Sequence, residues 1–265
     1  MDYFAKKLII RRSYNDFFVF LHAMKYAIIM GASSGMGHEV SLRLLAEGWH
    51  IGVAARLVDE LEKLEMLYSG KVVTMQIDIT SDNAPQKLLQ LVNRLGGMDL
   101  YFHSSGIGKQ NMLLDETIES NTVTTNALGF TRMVNTAFHY MEQHQGGHIV
   151  AISSIAGVKG LGAAPSYSAT KAFQNIYIQA LEQQANMRNL NISFTDIRPG
   201  FVDTPLLNDG KRYPMLMDTK KVVDEIMKAI HHKRHTRIID WRYRILVPLW
   251  QMIPNGLWRR LRIRK

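Results

Sequence analysis

The stretch Tyr26-Ala27-Ile28-Ile29-Met30-Gly31-Ala32-Ser33-Ser34-Gly35-Met36-Gly37 decides how the rest of the chain is read. An apolar strand-like run leads directly into glycines spaced Gly-x3-Gly-x-Gly, and an amphipathic stretch over 37–47 follows. A strand that turns into a helix over so few residues needs glycine. It permits the turn, lets a ligand approach the backbone and lets helix pack closely on strand. The helix N-terminus then offers free N–H groups and a partial positive charge. In this context Gly31, Ser33, Ser34, Gly35, Met36 and Gly37 read as a cradle for a dinucleotide pyrophosphate.

Further strand-like runs lie at 51–54, 72–77, 100–103, 148–152, 192–197 and 236–239. Helical patterns lie between them at 57–67, 84–95, 116–143, 167–186 and 219–232. Strands alternating with helices imply right-handed βαβ units and a parallel sheet covered on both faces. The expected fold is therefore α/β: a doubly wound, Rossmann-like sheet in three layers forming a single domain. We divide the chain into an N-terminal extension (1–23), a catalytic domain (24–240) and a C-terminal tail (241–265).

Of 265 residues, 46% are hydrophobic and 21% charged, as expected of an ordinary globular chain large enough for a full core. Without cysteine there are no disulfides, thiolate metal sites or cysteine nucleophiles, and a reducing cytoplasm is compatible. The net charge is +9, but seven cations and no acid fall in 241–265: Arg242, Arg244, Arg259, Arg260, Arg262, Arg264 and Lys265. The nearly neutral remainder does not read as a nucleic-acid binder. No apolar run reaches the roughly 18–20 residues needed to span a bilayer. Lys6, Lys7, Arg11 and Arg12 precede a short apolar stretch at 17–21, which faintly resembles a targeting segment. The favoured reading is an extension upstream of Met24.

The second strand-like run bears on cofactor choice. An acid about 20 residues beyond the glycines would hold a ribose 2′-hydroxyl. Here that position is Ala55, followed by Arg56, which can bind a 2′-phosphate bidentately. NADP(H) is thus the expected cofactor, with NAD(H) as the second option. Asp78, after the third run, is either a turn residue or a cofactor contact.

Tyr167-Ser168-Ala169-Thr170-Lys171 sets a phenol and an ammonium four residues apart, on one helix face. A free phenol ionises near about pH 10, and a neighbouring cation favours the phenolate. Lowering that value by about three units would take about 4 kcal/mol. The spacing alone is cheap, since Tyr3 and Lys7 share it. Its company distinguishes it. Ser154 stands at the end of a strand-like run, Asn126 on the long helical stretch, and Pro199-Gly200 and Thr204 after the next strand. Open α/β sheets place their sites at such strand ends.

Together these motifs resemble the short-chain dehydrogenase/reductase family over about residues 24–240. The resemblance implies a catalytic set of Asn126, Ser154, Tyr167 and Lys171. Tyr167 would exchange the proton and Ser154 would polarise the substrate oxygen. Lys171 would hold the ribose and lower the Tyr167 pKa, and Asn126 would support Lys171 and a water-mediated proton relay. It also implies cofactor contacts at Asp78 (with the adenine), Ile79, Ser105, Gly106, Pro199, Gly200, Val202 and Thr204, and a homodimer or homotetramer. One departure is His103-Ser104-Ser105-Gly106, where the family usually reads Asn-Asn-Ala-Gly. His103 is then either a substrate ligand or, as favoured, a structural histidine.

His231, His232 and His235 read as a polar helix end rather than a metal site, and no metal is expected. The aromatic, basic tail suits either peripheral membrane contact or packing on the protein. Pro248, Pro254 and Gly256 argue against one long helix there. Residues 201–219, rich in Met and Leu, form the expected lid over a lipophilic carbonyl or alcohol. The expected activity is carbonyl–alcohol interconversion in the cytoplasm. The alternatives are an idle NADP(H)-binding sensor and a membrane-surface interaction protein.

Overall fold

Seven parallel strands make one sheet: β1 (Tyr26–Met30), β2 (His50–Ala55), β3 (Val72–Gln76), β4 (Leu100–His103), β5 (Gly147–Ile152), β6 (Ile192–Arg198) and β7 (Thr236–Ile238). Their spatial order is β3-β2-β1-β4-β5-β6-β7. The computed structural model describes residues 25–207, 210 and 212–262. The extension 1–23, with Tyr3 and Lys7, and the tail tip Arg264 and Lys265 lie outside the described residues.

The helices are α1 (Gly35–Ala46), α2 (Asp59–Leu67), α3 (Ala84–Leu95), α4 (Glu116–Val123), α5 (Phe130–Gln143), α6 (Pro165–Met187), α7 (Thr219–His231), α8 (Trp241–Met252) and α9 (Asn255–Trp258). Their starts follow local chemistry. Asp115 caps α4 by accepting from the Ile118 N–H at 3.1 Å, and Asp218 caps α7 by accepting from Lys221 at 3.0 Å. Proline opens α6 and sits in the first turn of α3, where its missing N–H costs nothing.

β1 has an unbroken apolar run because both its faces are covered. Ala27 and Ile29 join the core on one side of the sheet, and Ile28 and Met30 join the core on the other. This is the expected three-layer, doubly wound fold. Met30 pairs with Ala54 of β2 and with His103 of β4, so the strand order reverses at β1. The crevice beyond these strand ends is where such sheets bind ligands.

One expectation needs correction, and a second holds with its break placed differently. The helical stretch 116–143 is not continuous: α4 and α5 are joined by a π-helical segment, Thr124–Gly129. Asn126, inside it, bonds in both directions to the backbone of Ile107, accepting from its N–H at 2.9 Å and donating to its carbonyl at 2.7 Å. These tertiary bonds favour the wider turn over a regular ladder. In the tail there is no single long helix, as expected: the break falls at Ile253–Pro254, between α8 and α9, although Pro248 is carried inside α8. Pro248 removes one helical bond. Burial of Tyr243 and Val247, on either side of it, outweighs the loss.

Residue 240 therefore marks no structural break, because Tyr243 and Val247 belong to the main core. Gly200 is the socket: a Cβ there would lie 2.3 Å from the Tyr243 ring. The Tyr243 hydroxyl also reaches the Pro214 carbonyl at 3.3 Å and so ties the 201–219 segment to α8. Within that segment Val202 and Met217 form a β-bridge. Removing so large a buried ring costs about 3–5 kcal/mol. Denaturant unfolding should show a loss of that size for Tyr243→Ala, and about 1 kcal/mol for Tyr243→Phe, which removes only the hydroxyl.

Candidate active site

The glycine loop shapes one wall of the crevice. Gly31 has φ +90°, and a Cβ there would lie 2.6 Å from the Ser105 nitrogen. A Cβ on Gly37 would lie 2.1 Å from the Gly31 carbonyl oxygen. No other residue fits either place. Ser34 stands at the N-cap of α1 in extended conformation and makes no side-chain cap bond, so the first turn keeps its N–H groups for another acceptor. This Cβ-free cradle at a helix N-terminus, set at the strand-order reversal, fits a dinucleotide. By the resemblance, the glycine loop would hold it, with Arg56 just past β2 and Asp78 past β3.

Arg56 is exposed just past β2. Asp78 accepts from the Thr80 N–H at 2.9 Å and its hydroxyl at 2.7 Å, so it closes a turn. Burial pushes its carboxyl up, but the Thr80 bonds and the Arg56 charge outweigh this and hold it below the usual value. The Ile79 side chain is buried, and Gly129 packs against it closely enough that a Cβ there would lie 2.9 Å from the Ile79 carbonyl oxygen.

Beyond the glycine loop opens a cavity of about 1660 Å³. Met36, Gly106, Ser154, Tyr167, Lys171, Pro199, Gly200, Val202 and Thr204 all line it. Ser154 follows β5, while Tyr167 and Lys171 lie on α6. The short 3-10 turn Ile155–Val158 brings the two elements together, because Gly157 lies flat on α6. A Cβ there would fall 2.7 Å from the Lys171 carbonyl carbon. Ser154 Oγ accepts from the Ala156 N–H at 3.1 Å and donates to the Pro199 carbonyl at 3.3 Å. Asn126 stands behind the cavity wall, fully buried, and Gly106 packs against its amide.

Burial pushes the Tyr167 phenol up, and a hydrogen bond with Ser154 partly offsets this. The expected net lowering of the Tyr167 phenol is not seen, because burial dominates. Lys171 Nζ sits 5.8 Å from the Tyr167 ring centroid and is held on other acceptors. Burial lowers Lys171 itself to about 8, against the raising effect of the Asp196 carboxylate.

His103 is a core residue, 1% exposed. Its Nδ1 meets the Tyr101 hydroxyl at 2.9 Å, its Nε2 meets the Ser105 carbonyl at 3.1 Å, and Phe130 packs edge-on against the ring. The three clustered histidines do not converge. His231 meets Glu47, His232 the Lys228 carbonyl and His235 Glu182.

Several lining residues were not foreseen from the sequence. Gly108 lies under Tyr167, where a Cβ would be 2.6 Å from the ring. Lys159, Leu246, Leu249, Trp250, Trp258 and Arg259 form the outer wall. Trp258 Nε1 donates to the Gly160 carbonyl at 2.8 Å, and Lys159 donates to Asn255 Oδ1 at 3.0 Å. The tail's mixed apolar and basic composition was the only signal of this role.

The short chain dehydrogenase family model matches residues 25–212. An oxidoreductase of Myxococcus xanthus is 29% identical over 248 residues, covering 89% of this chain and 97% of that protein. A solved short-chain alcohol dehydrogenase from Sinorhizobium meliloti is 26% identical with a TM-score of 0.64, covering 70% of this chain and 75% of that one. The fold is also that of ElxO, solved with NADP bound, at a TM-score of 0.73 and 22% identity, covering 84% of this chain and 99% of that one. The fold and site define a dinucleotide-dependent oxidoreductase. More narrowly, the chain belongs to the short-chain dehydrogenase/reductase family, whose enzymes interconvert CH–OH and C=O with NAD(P).

The buried histidines make stability depend on pH. Burial lowers His103 from 6.5 to about 3 and His148 from 6.5 to about 4. Between those values and 6.5 the unfolded chain binds the protons, so stability falls as pH falls. Each histidine contributes a slope of up to about 1.4 kcal/mol per pH unit. Denaturant midpoints measured from pH 7 to 4 should decline, and His103→Asn should flatten the decline by about half.

Proposed function

We propose that the protein reduces a lipophilic ketone or aldehyde with NADPH in the cytoplasm, and that Tyr167 is the proton donor. The observation that carries this reading is the convergence of Ser154, Tyr167 and Lys171 on one large cavity with mainly apolar walls. When bound, the dinucleotide supplies the hydride. The chain does the rest. The Ser154 hydroxyl orients the substrate oxygen, and Tyr167, a neutral phenol at neutral pH after burial, protonates it. Lys171 stabilises the phenolate that remains. Phe201, Leu207 and Met215 line the cavity and limit water at the reacting centre. The cavity exceeds the roughly 300–1,000 Å³ of common ligand pockets, leaving room for a bulky apolar substrate beside the cofactor.

The test is NADPH and NADH oxidation against a panel of lipophilic ketones and aldehydes. Tyr167→Phe should lower kcat by about 10²–10⁴ with NADPH binding intact. Arg56→Ala should weaken NADPH by about tenfold or more while sparing NADH, the effect of one charged hydrogen bond. Binding of neither cofactor would end this reading.

A second reading, of peripheral membrane contact through the tail, has its own observation. Trp241, Ile245, Leu249 and Met252 form an outward stripe on α8, opposite the buried Tyr243 and Val247, and each is more than half exposed. The same segment carries Arg244, Arg259, Arg260 and Arg262 and no acid. Such a surface fits an anionic bilayer face. The full chain should co-float with vesicles containing anionic lipid, and both added salt and the triple reversal Arg244→Glu/Arg259→Glu/Arg260→Glu should release it. Equal recovery with neutral and anionic vesicles, or none with either, would leave the tail as cavity wall alone.

A further inference from the structure

Lys171 has three N–H donors, and two are committed inside the protein. Nζ donates to the Ile152 carbonyl and to Gln174 Oε1, each at 2.9 Å. Gln174 lies one turn further along α6 and is fully buried. Its Nε2 donates to the main-chain carbonyl of Asn126 at 2.8 Å. One side chain thus joins the ammonium to the π-helical segment behind the cavity.

Packing does not explain a glutamine here. Buried positions on this helix recur at Lys171, Gln174, Ile178, Leu181 and Ala185. An apolar residue of similar size would fill position 174 without burying an amide. An amide that meets an acceptor with one end and a donor with the other is the group that this gap requires. We propose that Gln174 is a positioning residue for proton transfer: it ties the Lys171 ammonium to the Asn126 carbonyl and leaves one Lys171 N–H for the cavity that holds Tyr167. The proposal depends on the reading of Tyr167 as the proton-exchanging group.

The charged and titratable groups around Lys171 are few. Tyr167 faces it from α6, Asp196 from β6 and His103 from β4. Arg198 Nε pairs with Asp196 at 2.7 Å, which leaves that carboxylate only partly available to Lys171. His103 is neutral in the working range. Gln174 therefore supplies an acceptor that favours the ammonium without adding a charge to the interior. A Lys171 that keeps its proton is the cation that makes the Tyr167 phenolate attainable.

Phenolate absorbance read as a difference between each chain and its Tyr167→Phe counterpart follows Tyr167 ionisation across pH, with NADP present and no substrate. Gln174→Met, close to isosteric, should raise the midpoint by about one pH unit. Alcohol oxidation by the same variant at neutral pH should slow about tenfold, since the base is then ionised a tenth as often. Gln174→Leu should behave alike. In a Lys171→Met background the Gln174 substitution should produce no further shift, because its effect passes through Lys171. An unchanged midpoint in a folded Gln174→Met chain would overturn the proposal. So would an equal shift without Lys171, or failure of both Gln174 variants to fold, which would make the bridge structural. Carbonyl turnover that survives Tyr167→Phe would instead defeat the acid–base reading and leave the titration to judge Gln174 by itself.

Discussion

Gly157 has no side chain, and the meeting of β5 with α6 depends on that. The Ile155–Val158 turn lies so close to α6 that a Cβ would be 2.5 Å from Asn175 Nδ2 and 2.7 Å from the Ala172 nitrogen. Side chains cannot occupy such distances, and backbone shifts to make room cost about 1–3 kcal/mol. The same contact sets Ser154 beside Tyr167. Geometry for the chemistry is thus bought with close packing, from two elements that are rigid on their own. Gly108 repeats the device on the other side of the Tyr167 ring. The phenol is confined between a serine hydroxyl and a bare backbone, and its position owes little to its own hydrogen bonds.

The tail completes the site in the same way. Gly200 receives the Tyr243 ring, Tyr243 holds α8, and α8 carries Leu246, Leu249 and Trp250 to the cavity. The 201–219 segment is fastened to α8 through the Pro214 carbonyl and to itself through the Val202–Met217 bridge. The cavity wall and the 201–219 segment are therefore one packed unit. Its inner face lines the cavity while Trp241, Ile245 and Met252 stay exposed on its outer face.

The sequence was informative where structure is local. β1 and the Gly31–Gly37 loop were legible because an apolar run, a set of glycines and an amphipathic helix are contiguous. Tyr167 and Lys171 were legible because helical spacing is fixed. Three features were not. The π segment depends on Asn126 bonding Ile107, 19 residues away in sequence. Pro248 sits inside α8 because tertiary burial of Tyr243 and Val247 overrides a local rule. Gln174 looked like an ordinary polar residue of a long helix. Its meaning lies in two partners, one of them 48 residues away on another element.

The His-Ser-Ser-Gly sequence after β4 shows how a departure from the usual Asn-Asn-Ala-Gly can preserve a fold. The Ser105 carbonyl can only accept, so the bond to it requires the proton on His103 Nε2. Nδ1 is then an acceptor, and the Tyr101 hydroxyl must donate to it. A neutral imidazole in this tautomer presents one donor and one acceptor, as a side-chain amide does. The substitution works only while the ring stays neutral. Protonation would turn Nδ1 into a second donor against the tyrosine and would place a cation near Lys171 in the buried core. Burial and the Lys171 charge both oppose that state. The Lys171 charge is thus also part of what keeps His103 neutral.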